Sequence, residues 1–305
     1  MKIAITGSSG LIGSAVSDRL RGDGHTVTRV VRSREAAGAD DALFWKPSTQ
    51  ELDVPALADH DAVINLAGEN IFGLWTKARK RRIRESRVRG TRLLAETLAG
   101  LDDTDRPDVL INASAIGYYG DRPPDEPLTE DAEPADGFMA RVVRDWEAAT
   151  QPAADAGVRV VMTRFGLVLD PNGLLLQGMT LSTLLGLGAK LGDGQQAFPW
   201  VTRAEIAHVM AFLLAQEKDQ TLSGSVNVVA PDKVTNEEFA DTVARVLHRP
   251  RFLAIPKLAL KLIGELGDEI AGGAWVVPAK LESAGYEWRN PALEPALRRL
   301  LDRPA

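Results

Sequence analysis

The opening of the chain constrains its fold more than any other segment. An apolar stretch, Lys2–Thr6, leads directly into a glycine-rich turn and then into an amphipathic stretch that predicts a helix. Gly7, Gly10 and Gly13 have the spacing for a tight turn, close approach of backbone to phosphate, and close packing of helix on strand, and the helix N-terminus adds unpaired N–H groups. An ordinary glycine-rich turn is the alternative, but the strand–loop–helix context favours a dinucleotide site. Its predicted contact residues are Gly7, Ser9, Gly10, Leu11, Ile12 and Gly13.

Short β-branched runs alternate with longer amphipathic stretches along the chain. This β-α order implies a parallel sheet with helices on both faces. The predicted strands are Lys2–Thr6, Thr26–Val31, Ala62–Asn65, Val109–Ser114, Arg159–Arg164 and Ser225–Val229, and the predicted helices lie near 11–22, 78–99, 137–156 and 204–216. We therefore predict an α/β fold, a Rossmann doubly wound parallel sheet with a smaller C-terminal substrate lobe. The Rossmann domain is placed at 1–170, completed by about 201–230, and the lobe at 171–200 and 231–305.

Composition narrows the functional classes. The 305 residues include 45% hydrophobic and 26% charged side chains, with a net charge of −6, as in an ordinary globular protein. The basic run at 77–92 is outweighed by acidic residues elsewhere, so no nucleic-acid partner is predicted. Cysteine is absent and the four histidines lack metal-ligand spacing, so no metal site is predicted. Without a signal-peptide pattern or an apolar run of about 18 to 20 residues, the expectation is a cytoplasmic protein with no membrane contact.

The end of the second predicted strand bears on the choice of nucleotide. An NAD-binding fold usually has Asp or Glu here, against the ribose 2′-hydroxyl. This chain has Arg32, about 20 residues beyond the glycine turn, followed by Ser33 and Arg34. Because a guanidinium suits a bidentate phosphate contact, these three residues favour NADP(H); surface arginines in a loop are the alternative.

The GxxGxxG spacing resembles the short-chain dehydrogenase/reductase superfamily, in particular its extended, sugar-nucleotide epimerase branch. Further motifs resemble one group within it, the atypical short-chain dehydrogenase/reductases of the epimerase family. The resemblance runs almost end to end, and its motifs are specific in their order although each is weak alone. They include NLAG at 65–68, WT at 75–76, SR at 86–87, SAIGYYG at 114–120, DWE at 145–147, GDGQ at 192–195, RP at 249–250, VP at 277–278 and AGY at 284–286.

This resemblance implies a Rossmann domain that holds NADP(H), a small C-terminal substrate lobe and a cleft between them. It implies that Asn65, Leu66, Ala67 and Gly68 lie beside the cofactor ribose. It also implies that the strand ending at Ser114 delivers a hydroxyl next to the nicotinamide. Both placements agree with the general rule that open α/β sheets bind ligands at the carboxyl ends of their strands.

The proton-transfer residues of the superfamily are missing. Ordinary members use a Tyr-x-x-x-Lys pair, in which the lysine lowers the tyrosine pKa and the phenol exchanges the proton that accompanies hydride transfer. Counted back from Glu147, which resembles the glutamate after that motif, the Tyr position falls near Met139 and the Lys position near Val143. Neither side chain exchanges protons, and no nearby register supplies a tyrosine.

Three hydroxyls are the candidate replacements. Tyr118 and Tyr119 stand in a glycine-flanked loop directly after the strand that ends at Ser114. Loops at the carboxyl ends of strands concentrate catalytic groups, so Ser114, Tyr118 and Tyr119 are the predicted catalytic set. Positioning and packing are the alternative role for the tyrosines.

Other positions are open to two interpretations. Arg87 stands where relatives have asparagine. Arg87 and Arg164 are assigned to cofactor binding. Alternatively, these two arginines and Lys77 could clamp an anionic substrate or form salt bridges. Trp45 lies where relatives have an acidic residue, and either stacks on adenine or is buried. Trp200 lines the cleft or belongs to the core of the lobe.

Two functions follow from these observations. The first is an NADP(H)-dependent oxidoreductase or epimerase-like enzyme that acts on a small polar substrate, with a sugar nucleotide among the candidates. The alternative is a non-catalytic NADP(H)-binding regulatory protein that kept the cofactor pocket and lost the proton shuttle. A homodimer through the helices near 78–99 and 137–156 is a further expectation.

Overall fold

The chain folds around one large, mostly parallel sheet. The computed structural model describes residues 1–39, 41–49, 51–123, 125–186, 188, 190–216, 222–250, 254–255 and 264–301. In chain order the strands are β1 Lys2–Thr6, β2 Thr26–Val31, β3 Ala42–Lys46, β4 Glu51–Leu52, β5 Ala62–Asn65, β6 Val109–Ala115, β7 Pro127–Leu128, β8 Arg159–Phe165, β9 Leu167–Leu169, β10 Lys190–Leu191, β11 Trp200–Thr202, β12 Gly224–Val228, β13 Ala254–Ile255 and β14 Trp275–Val276. The helices are α1 Leu11–Gly22, α2 Val54–Leu57, α3 Lys77–Ala99, α4 Phe138–Ala148, α5 Gln151–Asp155, α6 Leu174–Leu184, α7 Arg203–Ala215, α8 Asn236–Val246, α9 Glu265–Ala271, α10 Ala279–Ser283 and α11 Leu293–Leu301.

The order of the strands reverses at β1, near the middle of the sheet. The order is β12-β8-β6-β5-β1-β2-β3-β4, with β4 antiparallel to β3 and the other neighbours parallel. The chain builds outward from β1 in one direction through β4 and then returns to the other side of β1 with β5. Doubly wound sheets bind their ligands at such a switch point, outside the carboxyl ends of the strands.

Alternate residues of the central strands face opposite layers of helices. Ile3 and Ile5 of β1 pack in one cluster with residues of α1 and α7, whereas Ala4 packs in another with residues of α3 and α5. Both faces are therefore buried, which explains why these strands read as continuous apolar runs rather than alternating ones. The predicted α/β class and Rossmann sheet are confirmed by this arrangement.

Most predicted elements are found within one residue at each end. The exception is the helix predicted at 137–156, which the structure divides into α4 and α5. The break falls at Ala149 and Thr150, and Pro152 follows at the first turn of α5. Proline lacks the N–H that a continuous helix would use and its ring clashes with the preceding turn, so the helix stops and restarts.

The C-terminal segments build a second apolar cluster but also return to the main one. Phe198, Trp200 and Phe239 form the centre of the second cluster. Leu281 and Tyr286 instead pack in the main core. Among the described residues, none of the helices is both long and apolar enough to cross a membrane.

Candidate functional site

The glycine turn between β1 and α1 is too tight for side chains at two positions. Gly7 has a φ of +66°, a conformation that residues with a Cβ rarely adopt. A Cβ on Gly7 would lie 2.8 Å from the Leu66 carbonyl oxygen, and one on Gly13 would lie 2.1 Å from the Gly7 carbonyl oxygen. Gly10, which precedes α1, supplies no side-chain cap to the N–H groups of the first turn. Of the other predicted contact residues, Ser9 is exposed, and Leu11 and Ile12 are half-buried.

A buried polar network fixes the neighbouring strand ends. Thr6 Oγ1 donates to Asn65 Oδ1 at 2.6 Å and accepts from the backbone N–H groups of Leu66 at 3.0 Å and Ala67 at 3.1 Å. Asn65 Nδ2 in turn donates to Asn112 Oδ1 at 2.6 Å. The side chain of Asn65 is therefore engaged inside the protein. Of the predicted ribose contacts, Leu66, Ala67 and Gly68 directly follow β5, and Asn65 is the last residue of that strand.

Arg87 lies beneath this segment as a poorly compensated cation. Its Cζ is 3.3 Å from the point that a Cβ on Gly68 would occupy, and its Nη1 donates to the carbonyl oxygens of Glu69 at 3.0 Å and Ile83 at 3.2 Å. Its guanidinium also stands over the Trp146 ring, 5.2 Å from the centroid. Burial lowers the pKa of Arg87 to about 10, against the opposing charge of Glu69. It makes no ion pair with any residue that the structure describes, so an anion bound near Gly68 would compensate it.

The three residues after β2 differ in their surroundings. Arg34 Nη2 donates to Glu51 Oε2 at 2.5 Å, and its guanidinium lies over the Phe44 ring. Ser33 Oγ accepts from the Ala36 backbone N–H at 3.4 Å. Arg32 is exposed and has no hydrogen bond or ion pair within the described part of the chain. All three residues are exposed, and Arg32 is the one whose side chain is not engaged by another described residue.

Ser114 and Arg164 belong to one buried ion-pair network. Arg164 forms a bidentate pair with Glu147, with both N···O distances at 2.8 Å, and Ser114 Oγ donates to Glu147 Oε1 at 2.6 Å. The side chain of Arg164 is only 3% exposed. Ser114 was predicted to act at the nicotinamide and Arg164 to clamp an anion. In the structure, the Ser114 hydroxyl and the Arg164 guanidinium are both bonded to Glu147 instead. Because side chains alternate along a strand, Ala115 faces the side opposite to Ser114.

The two tyrosines after β6 are not equivalent. Tyr119 is buried, its Oη donates to Asn227 Oδ1 at 2.7 Å, and it accepts from Arg164 Nη1 at 2.8 Å. Burial raises the pKa of Tyr119 to about 12, against the charge of Arg164. The Tyr118 ring covers the Arg164 guanidinium at 3.6 Å, and its side chain is half-buried. Tyr118 is therefore the more accessible phenol, whereas the contacts of Tyr119 are those of a packing residue.

The positions of the missing Tyr and Lys are filled by apolar side chains. Met139 is 5% exposed and Val143 is buried completely. Sequence reasoning missed a carboxylate beside them: Glu269 Oε1 lies 3.4 Å from the point that a Cβ on Gly117 would occupy, and Met139 Cβ lies 3.3 Å from the same point. Burial, and secondarily the charge of Asp121, raise the pKa of Glu269 to about 7. No local motif marks Glu269, which is one of three acidic residues within 265–269, so nothing in the sequence singles it out.

Three further predicted positions are placed as follows. Trp45 is buried in the core under α3. Of its two predicted roles, the structure therefore supports burial in the core rather than stacking on adenine. Trp200 is likewise buried, in the second apolar cluster, and does not line the cleft. Lys77 is exposed at the start of α3.

Comparison with known proteins agrees with this architecture along its whole length. A model of the NAD dependent epimerase/dehydratase family matches residues 3–228, and a model of a domain of unknown function matches residues 255–300. The chain belongs to the NAD-dependent epimerase/dehydratase family. The resemblance to epimerase family proteins is thereby confirmed. An epimerase family protein of Mycobacterium bovis is 40% identical over 99% of this chain and 98% of that protein.

Two solved structures are similar throughout the chain. Human epimerase family protein SDR39U1, solved with NADPH, has a TM-score of 0.86 and 29% identity, covering 98% of this chain and 99% of that one. The nucleoside-diphosphate sugar epimerase from Corynebacterium glutamicum has a TM-score of 0.80 and 32% identity, covering 99% of this chain and 58% of that one.

Proposed function

We propose that this chain is an NADP(H)-dependent oxidoreductase or epimerase-like enzyme for a small polar substrate, with a sugar nucleotide as one candidate. The observation that carries the proposal is the glycine turn, where a Cβ on Gly13 would lie 2.1 Å from a backbone oxygen. Such a turn at the N-terminus of a helix serves close approach of a pyrophosphate. Support also comes from the human relative that was solved with NADPH.

The choice of NADP(H) over NAD(H) rests on Arg32. An exposed guanidinium that pairs with none of the described residues follows β2, at the place where NAD-binding folds carry a carboxylate. It would bind the 2′-phosphate by charge-assisted hydrogen bonds. Arg34, which Glu51 already engages, would contribute less.

Other residues of this chain would bind the rest of the cofactor and the substrate. The turn residues Gly7 to Gly13 would bind the pyrophosphate, and the backbone of 66–68 would border the ribose. Arg87 would compensate an anionic group of the cofactor or substrate. Bound NADP(H) supplies hydride transfer, and Tyr118 is the accessible member of the predicted catalytic hydroxyls. We also propose a cytoplasmic location, which fits an enzyme that acts on a small polar substrate.

A second function is favoured by one observation. Met139 and Val143 fill the positions of the usual Tyr and Lys, so a non-catalytic NADP(H)-binding regulator remains the competing proposal. Turnover separates the two: stereospecific exchange of label between [4-²H]NADPH and a substrate would exclude the regulator.

Nucleotide titration tests the cofactor proposal. We expect the wild-type chain to bind NADPH at least about tenfold more tightly than NADH, a difference of about 1.4 kcal/mol. Arg32→Asp should reverse this preference, because its carboxylate repels the 2′-phosphate and suits the hydroxyl. Arg81→Ala, which removes an exposed arginine from α3, is the matched control and should change neither affinity. A wild-type preference for NADH, or an unchanged preference in Arg32→Asp, would refute the phosphate contact.

A further inference from the structure

Glu269 brings a carboxylate from the C-terminal region to the edge of the sheet where the missing tyrosine would act. Gly117 follows the carboxyl end of β6. The point that a Cβ on Gly117 would occupy lies within 3.4 Å of both Met139 Cβ and Glu269 Oε1. Counted back from Glu147, the Tyr position falls near Met139, so this carboxylate and that position both border Gly117.

Contacts at both ends fix α9, and with it Glu269, to α3 and to the loop after β6. At its start, Glu265 forms an ion pair with Lys80 of α3, with the shorter N···O distance at 2.6 Å. Just beyond its end, the Gly273 N–H donates to Asp121 Oδ1 at 3.0 Å, and the Gly273 carbonyl oxygen accepts from the Arg122 N–H at 2.9 Å. These anchors come from two different segments beside the crevice. The carboxylate position is therefore set by the fold rather than by a free loop.

The surroundings of Glu269 suit proton exchange near neutral pH. Its side chain has no hydrogen bond or ion pair with the residues that the structure describes. On the loop after β6 the charge of Asp121 opposes ionisation of Glu269, while the Lys80–Glu265 pair at the start of the same helix is self-compensated. A general acid–base group works best when its pKa is close to the working pH, and that of Glu269 is about 7.

We propose that Glu269 is the acid–base residue of this site and exchanges the substrate proton in place of the missing Tyr and Lys. In the reducing direction the substrate carbonyl carbon accepts a hydride, the C=O π pair becomes a lone pair on oxygen, and that oxygen takes the Glu269 proton. The carboxyl O–H bond breaks as the alcohol O–H forms, and the carboxylate regains a proton from water. The two electrons come from NADPH, so this inference rests on the proposed function.

Carboxyl ¹³C NMR tests whether Glu269 faces the nicotinamide without requiring a known substrate. The chain is labelled with [5-¹³C]glutamate, and the Glu269 signal is assigned from its loss in Glu269→Gln. We expect a titration near pH 7 in the free protein. The Glu269 pKa should be lower with NADP⁺ than with NADPH by about one unit, because only the oxidised nicotinamide ring carries a positive charge. Equal Glu269 pKa values in the two complexes would overturn the proposal.

Kinetics with a general carbonyl probe supply the second arm. With 9,10-phenanthrenequinone and NADPH, Glu269→Gln should lower kcat by a factor of about 10² to 10⁴ and leave the Kd for NADPH unchanged, and Glu269→Asp should recover part of the rate. Glu282→Gln, an exposed carboxylate on α10, is the matched control and should keep the wild-type rate. Full activity in Glu269→Gln would overturn the proposal. If neither nucleotide binds the wild-type chain, the proposed function fails as well; if both bind and the Glu269 results are negative, this inference alone is refuted.

Discussion

Substitution of Gly13 by alanine tests the nucleotide site at the position where the structure leaves least room. The new Cβ would lie 2.1 Å from the Gly7 carbonyl oxygen and 2.8 Å from the Gly7 carbonyl carbon. Close-packed proteins do not tolerate such approaches, so helix and turn must separate by about 1 Å. Overpacking of this kind costs about 1–3 kcal/mol of folding free energy. The displaced turn should also lose at least about tenfold in NADPH affinity.

The same helix offers a matched control. Gly22, at the other end of α1, has nothing within 4 Å of its Cβ position. Gly22→Ala should bind NADPH as the wild type does and gain up to about 1 kcal/mol of unfolding free energy, because alanine favours the helix. Urea unfolding and NADPH fluorescence titration measure both quantities for each variant. Wild-type NADPH affinity in Gly13→Ala would show that the turn does not form the pyrophosphate site.

Three further predictions concern stability and assembly. Glu205→Ala should lower the unfolding free energy by about 3 kcal/mol, since the buried carboxylate accepts from Tyr286 Oη at 2.6 Å and from the Asn290 N–H at 2.7 Å; an unchanged urea midpoint would contradict this. Because the pKa of Glu269 is raised in the folded protein, Glu269 loses its proton at a lower pH in the unfolded chain than in the folded one. The unfolding free energy of the wild type, relative to that of Glu269→Gln, should therefore fall between about pH 4.5 and pH 7 and then level off. Denaturation curves of both proteins across this pH range measure the difference. We also propose a homodimer through α3 and α4. Because α3 exposes several arginines, which repel each other across such an interface, light scattering should show that the dimer is weaker at low salt. A monomer at micromolar concentration in high salt would refute the dimer.

The fold was predictable because its determinants are local. Apolar runs buried on both faces, a glycine turn in strand–loop–helix context and regular β-α alternation each leave a mark within a few residues. The division of the helix predicted at 137–156 also has a local cause in Pro152, whose effect was outweighed by the apolar periodicity on either side. Burial of Trp45 and Trp200 was not decidable locally, because it depends on which helix covers each strand.

Side-chain direction in the site depended on partners distant in sequence. Ser114 ends a predicted strand, but whether its hydroxyl faces the crevice is set by Glu147, 33 residues later. Arg164 is engaged by the same carboxylate. Glu269 lies in a third segment, which α3 and the loop after β6 fix in place. Motif order points to the carboxyl edge of the sheet, while contacts between segments determine the surroundings of each side chain there.

The buried ion pair explains why the conspicuous hydroxyls are occupied. A charge removed from water must be paired and hydrogen-bonded, and the Glu147–Arg164 pair meets this need with Ser114, Tyr119 and the Glu130 carbonyl oxygen. If Ser114 or Tyr119 left the network to serve a substrate, the buried ion pair would lose a hydrogen bond to one of its charged groups. Hydrogen bonding to the buried ion pair and proton exchange with a substrate would therefore need the same side chains. We therefore expect the proton-exchanging group of this site to lie outside the network, and among the described residues Tyr118 and Glu269 are candidates that make no hydrogen bond to it.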